Sequence, residues 1–264
     1  MELNEITFIQ NLFPEALEKE EFLVYYQPKV YLTDYRLAGA EALCRWLHGD
    51  ELIPPGSFIP VLEQSNAICA LDFYMLDHVC QDIRKWLDEG RDVVSVSVNL
   101  SRCNFDNKNL LNDVLNTIDM HNVPHQYIEI ELTETAIDIN LKDLKELVFG
   151  LQGHGISVAV DDFGTGYSSL NLVRELPWNI IKIDKSFLEE NEDAPEQNRV
   201  MLKHIIAMSH EMGISSIVEG VETFEQVKML KESNCLMAQG FCFDMPLPKE
   251  IFEERLAQLG AKGA

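Results

Sequence analysis

The sequence predicts an α/β fold, a (β/α)8 TIM-like barrel, and three observations carry that prediction. Strand-like and helix-like segments alternate along the whole chain, with no linker, low-complexity tract or break in composition. Eight segments read as strands, and eight strands separated by helices imply a parallel sheet closed on itself. The length of 264 residues suits a barrel of roughly 250 residues and one large core. We therefore expect one domain over residues 1–264, with an amino-terminal helix at about 5–19 and the barrel proper at about 20–258.

In order, strands are expected near 22–27, 37–46, 93–100, 127–133, 157–162, 179–184, 215–220 and 237–243. Helical spacing fills most of the gaps, as in Leu76, Val79, Cys80, Ile83 and Leu87, or in Met201, Ile205, Met208 and Met212. Gly49 to Gly56, with Pro54-Pro55, reads as a surface loop leading into a short helix at Ser57.

Alternation within the strands separates their faces. In Val94-Ser95-Val96-Ser97-Val98-Asn99-Leu100 the apolar side chains take one face and Ser95, Ser97 and Asn99 the other. The apolar face should pack under helices and the polar face should line the barrel. Glu129, Glu131 and Thr133 share a face, as do Lys182 and Asp184, Glu41, Leu43 and Arg45, and Ile217 and Glu219. Barrel interiors are normally filled by Val, Ile and Leu. One inward glutamate reads as a structural ion pair, but five strands repeating the pattern read as a carboxylate-lined mouth.

The densest stretch is Ser157-Val158-Ala159-Val160-Asp161-Asp162-Phe163-Gly164-Thr165-Gly166. A β-branched strand delivers two adjacent carboxylates to its end, two glycines bend the chain, and Ser168 or Ser169 can cap the following helix. Adjacent aspartates repel and form strands poorly, and a bound cation removes the difficulty. Glu41, Asn99, Glu131, Asp161, Asp162 and Glu219 offer only oxygen ligands, a set that selects Mg²⁺ or Mn²⁺. They suffice for two cations sharing a bridging carboxylate, the arrangement that serves in-line phosphoryl displacement. Lys182 reads as the lone inward cation, suited to orienting a water or neutralising phosphoryl charge. Arg45 suits a phosphate oxygen.

Composition narrows the partners. The net charge is −23, from 44 acidic and 21 basic residues, and such a surface repels nucleic-acid polymers and anionic lipid. A small anionic substrate can bind where metal ions or a local Lys or Arg reverse the field. No apolar run of about 18 residues and no signal-peptide pattern is present, so a cytoplasmic location and no membrane segment are expected. The six cysteines (44, 69, 80, 103, 235 and 242) are scattered and read as reduced thiols. His121 and His125 lie four apart, but Pro124 between them argues against a zinc helix.

With those residues in view, the chain resembles the EAL-domain family of cyclic di-GMP phosphodiesterases over about residues 6–258. The matching blocks are Tyr25-Tyr26-Gln27-Pro28, Glu41-Ala42-Leu43-Cys44-Arg45-Trp46, Val98-Asn99-Leu100-Ser101 and Glu131-Leu132-Thr133-Glu134. They continue through Asp161 to Gly166, Lys182-Ile183-Asp184, Glu219-Gly220-Val221-Glu222-Thr223 and Gln239-Gly240-Phe241. The resemblance implies a first strand antiparallel to the rest, and hydrolysis of cyclic di-GMP to linear pGpG with Mg²⁺ or Mn²⁺; Ca²⁺, larger and looser in geometry, should compete for the site and inhibit. It implies Glu41, Asn99, Glu131, Asp161, Asp162 and Glu219 as metal ligands, with Asp161 bridging. Glu41, Lys182 and Glu219 would be catalytic, and the sequence leaves the general base open between Glu219 and Lys182. Gln27, Leu43, Arg45, Asp184 and Gln239 would contact substrate or ordered water. Glu134 and Glu222 would hold the loop at 163–170, and a homodimer through that loop is implied. Regulation would come through an unknown partner, oligomer state, expression, or a part of the protein outside this sequence. The alternative is a cyclic di-GMP receptor or protein-interaction module on the same fold that binds without turnover. Two departures from the family pattern are Val218 before Glu219 and Asp244, whose added charge near the mouth would weaken an anionic substrate.

Overall fold

The structure is a computed structural model that describes residues 3–133, 141–165, 169–189 and 195–260. Helix α1 (Leu3–Glu18) precedes the hairpin β1 (Phe22–Tyr31) and β2 (Leu37–His48), followed by β3 (Glu51–Ile53), α2 (Pro55–Gln64) and α3 (Ile68–Asp88). Strands and helices then alternate as β4 (Val96–Asn99), α4 (Leu110–Met120), β5 (Ile128–Thr133), α5 (Leu141–Gly153), β6 (Ser157–Phe163) and α6 (Ser169–Glu175). The series ends with β7 (Ile180–Ile183), α7 (Pro195–Glu211), β8 (Ser215–Val218), α8 (Phe224–Glu232), β9 (Met237–Gln239), β10 (Leu247–Pro248) and α9 (Lys249–Gly260).

Eight strands close the barrel in the order β1-β9-β8-β7-β6-β5-β4-β2, and β2 pairs back onto β1. Strand β1 is antiparallel to both neighbours, β2 and β9, while the pairings from β2 through β9 are parallel. The expected antiparallel first strand is therefore present. Two short strands were not anticipated. Residues 51–53, expected within a loop, pair antiparallel with the end of β2, and β10 adds to the edge of β1. Strands this short carry too few residues to display alternation.

The outward strand residues Val96, Val98, Ile128, Ile130, Val158, Val160, Ile181 and Ile183 are buried under the helices. Helix α3 meets them with a stripe of Leu71, Met75, Leu76, Val79, Ile83 and Trp86 at three- and four-residue spacing. Helix α8 begins with a reciprocal cap between Thr223 and Gln226. Among the described residues no helix is long and apolar enough to cross a membrane.

The expectation of six reduced cysteines is corrected: Cys69 and Cys103 form a disulfide, with Cα atoms 6.3 Å apart. The cause is local packing that spacing does not reveal. Asp72, one turn along α3 from Cys69, accepts from the Ser101 amide and from Asn104 Nδ2, both at 2.7 Å, which draws the turn carrying Cys103 against the helix. Cys44, Cys80, Cys235 and Cys242 are free. His121 pairs with Asp77, and His125 with Asp119, in keeping with surface roles.

Candidate active site

Parallel register brings one inward residue after another to the same level. Glu41 lies opposite Gln27 and Ser97, Asn99 opposite Glu131, and Thr133 opposite Asp161. Because successive inward residues alternate with outward apolar ones, the core under the helices holds the acidic groups in place.

Lys182 is the hub. Its Nζ lies 2.6 Å from Glu131, 2.8 Å from Glu219, 2.9 Å from Asp161 and 3.3 Å from Glu41. The side chain is 1% exposed. Burial opposes its charge, but Glu131, Glu219, Glu41 and Asp161 together push its pKa well above the usual lysine value. Gln239 Nε2 donates to Glu41 Oε2 at 2.6 Å and to Gln27 Oε1 at 3.0 Å, and Asn99 Nδ2 donates to Glu41 Oε1 at 3.3 Å. The buried Oε1 of Gln239 has no hydrogen-bond partner, an unmet acceptor of the kind that water or a bound group satisfies.

Carboxylate oxygens form two triads, Glu41 with Glu131 and Asp161, and Asp161 with Asp162 and Glu219, each with atoms within 4.8 Å of one another. Asp161 belongs to both. Consecutive residues of a regular strand point to opposite faces, yet Asp161 and Asp162 line one cavity. The reason is a register shift between Val160 and Phe163 that puts Asp162 at φ +53°. Asp161 Oδ1 accepts from the Asp162 amide at 3.0 Å. Beyond them Gly164 has φ +103°, and a Cβ there would lie 2.3 Å from the Phe187 ring.

A second buried lysine lies one layer deeper. Lys29 Nζ donates to Ser97 Oγ at 2.8 Å, Glu129 Oε1 at 2.8 Å and Glu131 Oε1 at 2.9 Å. Lys182 is therefore not the lone inward cation, and the partner of Glu129 is Lys29. The signal was present, since Lys29 follows Gln27 by two residues and shares its face. The antiparallel course of β1 carries that face downward from the mouth, which strand-end patterns alone do not reveal.

Six carboxylates (Glu41, Glu129, Glu131, Asp161, Asp162 and Glu219) thus meet two ammonium groups, an excess of four negative charges when every carboxyl is ionised. Burial raises the pKa of Glu41, Asp161 and Asp162, with neighbouring carboxylates adding to it. Burial, with Asp161, Glu41 and Glu131 nearby, pushes Glu219 up to about 8 against Lys182. Burial opposes ionisation of Glu131 too, but Lys182 and Lys29 outweigh it and hold that carboxyl at about 2. Two divalent cations match the uncompensated charge, and an all-oxygen donor set suits hard cations. The residues fit a metal centre.

The carboxylates open into a cavity of about 400 Å³ lined also by Gln27, Leu43, Asp184, Lys185, Gln239 and Phe241. An adjoining groove of about 390 Å³ holds Arg45 and Asn99, and Leu43 and Asp162 border both. Asp184 accepts from the Ser186 amide at 2.9 Å and caps the turn after β7. Arg45 lies over the Tyr25 ring, 5.5 Å from its centroid, and donates to the Cys44 carbonyl. Glu222 is on the cavity rim. Glu134 lies outside the described residues, as do Ser168 and part of the loop at 163–170. The charge of Asp244 is compensated, because Arg255 Nε donates to its carboxylate at 3.1 Å. Lys185, not singled out from the sequence, joins the cavity wall, as does the exposed Phe241, which the sequence offered only as part of a matching block.

A closed barrel with an acidic, cation-seeking mouth places the molecule among the α/β-barrel proteins whose chemistry sits at the strand ends. Residues 10–246 match the EAL domain family, and the chain belongs to that family. It is 37% identical over 241 residues to the signaling protein YkoW of Bacillus subtilis, covering 91% of this chain and 30% of that one. It is 35% identical over 245 residues to the cyclic di-GMP phosphodiesterase NbdA of Pseudomonas aeruginosa, covering 92% and 31%. The chain thus spans about a third of the length of these curated relatives. The structure of the PaMucR phosphodiesterase in complex with c-di-GMP is similar at TM-score 0.85 and 32% identity, covering 92% of this chain and 99% of that one.

Proposed function

We propose that the chain hydrolyses cyclic di-GMP to linear pGpG and so lowers the level of that second messenger. The observation that carries this reading is the pair of carboxylate triads sharing Asp161 around Lys182, at the mouth of an EAL barrel. Glu41, Asn99, Glu131, Asp161, Asp162 and Glu219 would hold two Mg²⁺ or Mn²⁺ ions, which when bound supply an acidified water and charge neutralisation at the phosphoryl oxygens.

The chain's own groups divide the remaining work. Lys182, kept protonated by four carboxylates, cannot accept a proton near neutral pH and serves as a donor to the attacking water or a phosphoryl oxygen. Glu219, which would give up its own proton when the cations bind, is then the general base: it takes the proton that water loses as its oxygen bonds to phosphorus, and passes a proton to the 3′-oxygen as that bond breaks. Gln27, Leu43, Asp184 and Gln239 line the cavity and Arg45 the groove beside it, positions suited to the two halves of a cyclic dinucleotide. The charges favour an enzyme over a receptor: the full set of acidic groups and the lysine are present together.

A homodimer through the loop at 163–170 and a cytoplasmic location belong to the same reading. The test is appearance of pGpG from cyclic di-GMP with Mg²⁺, with Mn²⁺ and with EDTA. Turnover with either ion, abolished by EDTA and inhibited by Ca²⁺, supports the reading. Binding of the nucleotide without product under all conditions would favour a receptor, and equal turnover of cyclic di-AMP would favour a different nucleotide hydrolase.

A further inference from the structure

Lys29 has no part in the chemistry proposed above, yet its surroundings are built with care. It enters from β1, the one antiparallel strand of the barrel, and is 3% exposed. Its ammonium has three N–H donors, and three acceptors meet them: Ser97 Oγ, Glu129 Oε1 and Glu131 Oε1. Glu129 and Ser97 lie opposite each other in the β4–β5 register, one layer below the opposed pair Asn99 and Glu131.

Glu131 links the two layers. Its Oε1 accepts from Lys29 and its Oε2 from Lys182. Lys182 divides its charge among Glu41, Glu131, Asp161 and Glu219, whereas Lys29 pairs with only two carboxylates, Glu129 and Glu131. Stability alone does not call for such an arrangement. Replacing a buried ion pair by well-packed apolar residues is often neutral or stabilising, and barrel interiors are ordinarily apolar. A pair between Lys29 and Glu129 would satisfy both charges by itself. The third bond, to Glu131, joins that pair to the acidic centre.

We infer that Lys29 is a positioning residue for the metal centre: it fixes Glu131 from below, and Glu129 is the counter-ion that permits a lysine there. A glutamate has three side-chain torsions, and a ligand held at one oxygen only would be free to rotate its carboxylate. Anchoring Oε1 leaves the carboxylate plane set before any cation arrives, so that the cation meets an ordered ligand rather than one it must order. This inference rests on Glu131 being a metal ligand.

The test measures Mn²⁺ affinity by titration calorimetry on folded protein, with steady-state kinetics alongside. The variant Lys29→Met/Glu129→Gln removes one positive and one negative charge together, so the charge of the layer is unchanged and only the anchor is lost. Its Mn²⁺ Kd should rise about 10–100-fold, the usual effect of removing an outer partner of a metal ligand. Its kcat should recover at saturating Mn²⁺, with KM for cyclic di-GMP within about twofold of the parent, a pattern that general loosening would not give. Glu129→Gln alone keeps the anchor and should leave the Kd within about threefold. Lys29→Leu/Glu129→Gln, also charge-neutral and without a donor, is read by the same criteria if the methionine variant does not fold. A folded anchor-less variant with unchanged Kd, or Glu129→Gln weakening Mn²⁺ as much as the double change, overturns the inference. Glu131→Gln separates the two levels: if it leaves Mn²⁺ affinity intact, the metal-site reading fails and the inference falls with it.

Discussion

Lys182→Met asks the most of the site. The change keeps an unbranched side chain, one atom shorter, and removes a charge that four carboxylates face at 2.6–3.3 Å. At about 3 Å and an effective dielectric near 20, each contact has a gross attraction of roughly 5 kcal/mol before desolvation is subtracted. Removing one partner of a buried ionic group costs a net of about 3–5 kcal/mol, because the other charges remain. For a chain of this size a loss of that order lowers Tm by roughly 6–20 °C. The loss should be largest in EDTA and should shrink by more than half with saturating Mn²⁺, since divalent cations supply the missing positive charge. In kinetics, kcat should fall about 10²–10³-fold, as for loss of a preorganised donor to developing charge, with KM changing far less. Differential scanning fluorimetry with and without Mn²⁺, and pGpG release by chromatography, measure both. An equal Tm deficit in EDTA and Mn²⁺ would refute the charge-balance argument, and a raised KM at unchanged kcat would refute the transition-state role.

Three further outcomes are expected. Glu41→Ala should abolish metal-dependent turnover while the far-ultraviolet circular dichroism stays native; unfolding would mean that the hydrogen bonds from Gln239 and Asn99 make Glu41 a structural residue. In EDTA the protein should lose stability as pH rises from about 4.5 to 8, because folded Glu219 keeps its proton up to about 8 while the unfolded side chain releases it near 4.5. Glu131 acts oppositely: held near 2 when folded, it contributes stability that is present above about 4.5 and lost as pH falls toward 2. Mn²⁺ should flatten the alkaline side of a Tm–pH profile, and a flat profile in EDTA would count against these shifts. Gly164→Ala should destabilise by about 2–5 kcal/mol in urea titration, combining overpacking against Phe187 with a backbone conformation that alanine disfavours. A loss below about 1 kcal/mol would show that the turn repacks freely.

Much of this was legible because barrel strands convert sequence parity into direction. Ile128-Glu129-Ile130-Glu131 and Ile181-Lys182-Ile183 alternate plainly, and the structure buries the isoleucines outward and gathers the ionic groups inward. What escaped were features that depend on a neighbour distant in sequence. Lys29 drew no reading from the sequence, because only the antiparallel strand brings it beneath Glu131, 102 residues away. The Cys69–Cys103 bridge spans 34 residues and follows from Asp72 gripping a turn after β4. The burden of Asp244 dissolved for the same reason, since Arg255 one helix later meets its charge.

The register shift in β6 has a consequence for how the acidic centre withstands thermal motion. Glu41, Glu131 and Glu219 reach it from β2, from β5 and from the residue after β8, so their separations vary as the barrel breathes. Asp161 and Asp162 are joined by a single peptide unit, and their spacing is limited by covalent geometry. In the proposed metal centre they would act as two teeth of one chelator, so that losing one contact would leave the other close by. The left-handed turn at Asp162 therefore trades a little backbone strain for a carboxylate spacing that barrel fluctuations scarcely alter.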